Sequence, residues 1–159
     1  MPKPASKPAS SSSAARKSVT EKSVADWLDE LARPARIAAL APSAARFIYS
    51  LRLIALHDRA RRDPVPELTA RLGSMEVAAK SLALAQTIAI VWPEDIHVSR
   101  FCCDCLTHDE ATLGALIEGC FARDQEDFHA HVTGLLRPER VTLLWEAVLD
   151  LVAAEMQST

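Results

Sequence analysis

Aromatic side chains make up only 5% of this 159-residue chain, which also has just four glycines. With few aromatics there is little to favour strands. With so little glycine there is no phosphate-cradling loop, and no P-loop, nucleophile elbow, H-E-x-x-H or dinucleotide motif occurs. No catalytic residues are therefore predicted. No run of 18 apolar residues exists, so no transmembrane helix and no membrane partner are expected. The N-terminus carries a lysine but no apolar segment of the secretory kind. The expected location is cytoplasmic. The four cysteines then read as reduced thiols, metal ligands or core residues rather than disulfides.

What is abundant is alanine and leucine, the strong helix formers. Together with 49% hydrophobic content, they predict an all-α fold, an irregular bundle of six or seven helices. The length suits one domain with its own core. Residues 1–19 are Pro/Ser/Ala-rich and carry four basic residues and no acid. They read as a disordered basic tail ahead of a single helical domain spanning 20–156. The formal net charge of −3 hides an asymmetry: from Glu94 onward there are 13 acids and 4 bases. Such a split suits two different contact faces.

Punctuation along the chain sets the helix limits. Ser23 reads as an N-cap with Asp26 three residues on, and Trp27, Leu28 and Leu31 supply an apolar stripe. Ile37 to Leu40 read as a further turn, and Ser43 as the cap of a long helix running to about Arg61. On that helix Phe47, Ile48, Leu51, Ile54 and Ala55 share one face, with Arg46, Arg52, Arg59 and Arg62 placed largely off it. Pro66 opens a short helix that Gly73 closes. Ser74 begins the most apolar helix, expected to be central and buried, and Pro93 ends it. Thr107 and Glu110 match a capping box. Leu113, Leu116, Ile117, Cys120 and Phe121 form the apolar face of the helix they open. Asp124 caps a helix carrying Phe128, His131, Val132, Leu135 and Leu136. Pro138 starts the last helix, whose apolar residues from Val141 to Val152 keep helical spacing. Gly114 and Gly119 lie inside a helix, where small residues admit close packing within the chain or across a homodimer.

The densest chemistry lies in FCCDCLTHDEATLGALIEGCF, residues 101–121, which holds all four cysteines. Cys102 and Cys105 form a C-x-x-C pair, a spacing that can aim two thiolates at one tetrahedral ion. Adding His108 and Cys120 completes a candidate zinc set. A second knuckle is missing, and the five-residue step from His97 to Cys102 misses the histidine–cysteine spacing of zinc-bearing anti-sigma factors by one. Cys103 is the candidate redox thiol, because thiols just ahead of a helix N-terminus feel the positive end of its dipole. The plainest alternative makes Cys103 or Cys105, and Cys120, small apolar packing groups. No cofactor is required on that alternative.

ELTARLGSMEVAAKSL, residues 67–82, has the helix–glycine–helix outline of a helix-turn-helix DNA-binding regulator. Its second helix is too apolar to face a groove, so nucleic acid is not an expected partner. The arginines of HDRARRD, residues 57–63, could meet phosphate or simply suit a helix C-terminus. The run CCDCLTHDEATLGAL resembles the hallmark of a small uncharacterised bacterial family of all-helical proteins, over residues 101–117 alone. That resemblance implies a bacterial source and no chemistry. The sequence thus predicts a non-enzymatic regulatory or adaptor protein acting through protein–protein contacts. The alternative is a metal- or thiol-dependent sensor built on the Cys102–Cys105 cluster.

Overall fold

A computed structural model describes residues 23–159, and the predicted basic tail, 1–19, lies outside the described residues. Among the described residues there are seven α-helices, one 3-10 turn and no strand, so the chain is all-α. It divides into two units at Arg33–Pro34.

The first unit contains α1 (Val24–Ala32). Ser23 caps it, accepting from the Asp26 amide while the Asp26 carboxylate accepts from the Ser23 amide, so two orphan donors are satisfied at once. Its apolar stripe is real but stays outside any core: Val24, Trp27, Leu28 and Leu31 are all exposed.

The second unit begins with the turn Ile37–Ala39, followed by α2 (Pro42–Arg59), α3 (Val65–Leu72), α4 (Met75–Val91), α5 (His108–Phe121), α6 (Gln125–Val132) and α7 (Pro138–Gln157). Ser43 is not the cap of α2. Pro42 occupies the first helical position, where its fixed φ is pre-set and its missing N–H costs nothing. The Ala41 amide just ahead donates to Glu118 Oε1 at 2.6 Å instead. Gly73 ends α3 in the left-handed region at φ 70°, and Ser74 caps α4 through the Val77 amide.

α4 and α7 run antiparallel. Their register is marked by Ser74–Ser158 at one end, Lys80–Asp150 further along and an Arg140 bond to the Val91 carbonyl at the other. α2 and α5 are antiparallel too, since Ala41 meets Glu118 while Arg52 meets Glu110. Between these pairs lies the core, where Phe47, Ile48, Leu84, Ile88, Leu116 and Leu144 are all but inaccessible. Each fully buried side chain of this size stabilises the fold by roughly 1.5–3 kcal/mol. Phe128 joins from α6, edge-on to Trp145 at 4.8 Å. Gly114 makes room for Leu40, whose Cδ2 would lie 2.7 Å from an added Cβ, so the close packing is within this chain.

Two expectations about burial need correction. α4 is central but not sheathed, because Met75 and Ile90 are more than two-thirds exposed. On α6, His131 faces solvent while Phe128 and Val132 carry the packing, and the helix ends at Val132, so Leu135 and Leu136 lie in the turn beyond it, the first exposed and the second buried. α6 is only eight residues long and touches the core along a narrow strip, so residues a third of a turn away lie outside it.

Candidate functional site

Between α4 and α5 the chain crosses from Trp92 to Thr107 without regular structure. Such a crossing needs partners for its backbone polar groups. The first turn of α5 provides many of them. Thr107 accepts from the Glu110 amide at 3.1 Å, and Glu110 Oε2 accepts from the Thr107 amide at 2.9 Å, completing the predicted capping box. The Thr107 hydroxyl also donates to the His97 carbonyl at 2.6 Å. Asp109 takes the Trp92 indole N–H through Oδ1 and the His97 amide through Oδ2.

The decisive partner comes from α2. Arg52 was expected largely off the apolar face, yet its side chain and that of Glu110 are both 0% exposed. Nε donates to Glu110 Oε1 at 2.7 Å and Nη2 to Oε2 at 2.9 Å, a two-pronged pair. The remaining donors go to the cysteine loop: Nη2 to the Cys105 carbonyl at 2.9 Å, Nη1 to the Arg100 carbonyl at 3.3 Å and to the Cys103 carbonyl. A guanidinium has five N–H donors, and all five find acceptors here. Glu110 is equally complete, since Oε1 also accepts from the Ser99 amide at 3.1 Å. Burial alone would push the Glu110 carboxyl up, but Arg52 and the two amides outweigh it and hold it below the ordinary range. The hydrogen bond to Glu110 raises Arg52 in turn, so both stay charged.

A second tie holds the far side of the loop. The Ile37 amide donates to the Asp104 carbonyl at 2.9 Å and the Leu106 amide to the Ala35 carbonyl at 2.7 Å, making a single antiparallel bridge of Arg36 with Cys105. Leu106 is buried in the core below. The loop is thus pinned by its carbonyls and amides; Cys102 on it is exposed, and Cys103 and Cys105 are half-buried.

The structure keeps Cys102, Cys103 and Cys105 together on this loop and places exposed His108 at the first position of α5. Cys120 is elsewhere. It is buried in the core, where burial pushes its thiol up to about 11, and it lies roughly 18 Å along the helix from His108. Among the described residues, no three His, Cys, Asp or Glu side chains gather into a group able to hold a metal ion. Sequence reasoning missed Arg52. A signal was present, because Ile48, Arg52 and Ala55 follow i, i+4, i+7 and so share the buried face.

The chain matches no protein-family model, no curated protein and no solved structure. Among the described residues, no helix is long and apolar enough to cross a membrane.

Proposed function

We propose that this is a non-enzymatic, thiol-dependent regulatory protein of the bacterial cytoplasm whose sensing element is the loop carrying Cys102, Cys103 and Cys105. The observation that supports the reading is the use of a fully buried, fully satisfied Arg52–Glu110 pair to hold the backbone of that one loop. A buried ion pair is a poor source of net stability compared with apolar packing, while it is demanding in geometry. Its effect here is to fix the path of a thiol-bearing segment.

The chemistry is oxidation of two thiols to a disulfide, with Cys102 and Cys105 the pair. Both S–H bonds break and one S–S bond forms. The two electrons and two protons pass to a peroxide, which is reduced to water, or to a small disulfide, which is reduced to two thiols. Drawing the two sulfurs together pulls on the Cys103 and Cys105 carbonyls that Arg52 holds. The signal is the loosening of that clamp.

Peptide mapping after mild oxidation tests this. A Cys102–Cys105 disulfide should form first, lower the melting temperature and reverse with dithiothreitol. Cys120 should stay reduced and unalkylated until the protein unfolds, as its raised thiol pKa requires. An unchanged response in a Cys102→Ser, Cys105→Ser variant would sink the reading. Stoichiometric zinc in the purified protein, lost with Cys102→Ser, would move the same residues to metal sensing.

A second reading, an adaptor acting through protein contacts, is favoured by α1. Its exposed Val24, Leu28 and Leu31 form the i, i+4, i+7 stripe that amphipathic helices lay into a partner's apolar groove. Partner capture that survives removal of residues 1–33 would count against it.

A further inference from the structure

A groove of about 510 Å³ opens between α2, α4 and the crossing segment. Its floor and walls are Leu51, Ile54, Leu82, Ile96 and Val98. It exists because α2 and α4 place Ala55, Ala85 and Ala89 where larger side chains would fill the space. The alternating Ile96 and Val98 of the crossing segment close one side, each half-buried against the helices. The groove also has a polar end. Arg59 and Arg62 reach it from the C-terminus of α2, and among the described residues neither side chain has an ion-pair or hydrogen-bond partner. Asp58 is the one carboxylate on the same rim, so the cations outnumber it.

An apolar trough ending in two unpaired guanidiniums selects for shape and charge together. The volume falls within the range of small-molecule sites. A flexible acyl chain fits such a trough without needing backbone hydrogen bonds, and a terminal anion can take a two-pronged bond from an arginine.

We infer that this groove binds an acyl chain bearing a terminal anion, with Arg59 and Arg62 holding the anion and Ala55, Ala85 and Ala89 providing room for the chain. A free fatty acid and the acyl chain of an anionic lipid share this chemistry. The site is distinct from the thiol loop, and it stands whether or not the cysteines respond to oxidation.

Calorimetric titration of the full chain with decanoate, below its micelle concentration, is the test. One saturable site is expected. Arg59→Ala and Arg62→Ala should each weaken binding by about tenfold, the effect of losing one charge-assisted hydrogen bond. Decanol, which lacks the anion, should bind at least as weakly as these variants. Ala89→Trp fills the trough from an exposed helix position, and circular dichroism should show it folded while binding is lost. Flotation with phosphatidylglycerol vesicles separates the two sources. If vesicles bind and decanoate does not, with the same dependence on Arg59, Arg62 and Ala89, the ligand is the lipid's chain. Decanoate binding that ignores Ala89→Trp overturns the site. So does the absence of binding in both arms, or a self-association abolished by Ala89→Trp without any decanoate binding, which would make the trough an interface.

Discussion

Arg52 on α2 and Glu110 on α5 meet through two hydrogen bonds of 2.7 and 2.9 Å, with neither side chain open to solvent. The two residues close the packing of antiparallel helices from the inside. They also hold an irregular crossing from above, so one pair serves both the bundle and the loop.

Removing one partner should be far worse than removing both. Arg52→Met leaves the Glu110 carboxylate buried without its counter-charge, and Glu110→Leu does the same to the Arg52 guanidinium. Each should cost about 3–5 kcal/mol. The double variant should recover much of that loss, because no orphaned charge remains. Urea unfolding of the four proteins gives the coupling directly. Costs that simply add would show the pair to be independent.

Acid should release the same clamp. Glu110 titrates below its ordinary value of 4.5 in the folded protein. Its contribution is therefore fully present above about that value and is lost as pH falls through the folded value. Glu155 works in the opposite sense. Burial pushes its carboxyl up, with Arg46 opposing from 3.0 Å, so its contribution is present below 4.5 and shrinks as pH rises through the raised value. Melting temperatures measured from pH 3 upward should fall steeply on the acid side. Glu110→Gln should flatten that limb, and Glu155→Gln should leave it in place.

Thr107→Ala removes the cap of α5, a loss that by itself typically destabilises by about 1 kcal/mol. The Thr107 hydroxyl also closes the His97 carbonyl, so the cost should lie at the upper end of the usual range for caps, about 2 kcal/mol. Thr107→Ser keeps both bonds and should restore most of it. Iodoacetamide labelling of Cys102 and Cys105 in the alanine variant should speed up beyond what its stability loss explains. An unchanged melting temperature would refute the role of the cap.

Most caps and turns were legible because they are local, the cap of α2 excepted. Ser23 with Asp26, Thr107 with Glu110, Ser74 with Val77 and Gly73 after α3 each involve residues within about one helical turn, so composition and spacing suffice to place them. The cysteine loop was legible as a place, since its thiols are adjacent in sequence. Cys120 shares no loop with them, because twelve residues of helix carry it from His108 into the core.

Burial was less legible. The apolar stripe of α1 has the right period and is nonetheless exposed, and Ile90 lies at the outer edge of a nearly all-apolar helix. A period says which residues share a face, not what that face meets. Arg52 shows the same limit from the other side. Helical spacing puts it beside Ile48 and Ala55, but only the packing of α2 on α5 brings a carboxylate 58 residues away to its fork. Without that carboxylate an arginine there would have to reach water, and with it Arg52 is the largest fully buried side chain among the described residues. The local helix signals are written in neighbouring residues because their hydrogen bonds close within a turn. The partner of Arg52, the pinning of the cysteine loop and the trough beside Ala85 arise only when distant helices pack, because each is a relation between surfaces that no single segment contains.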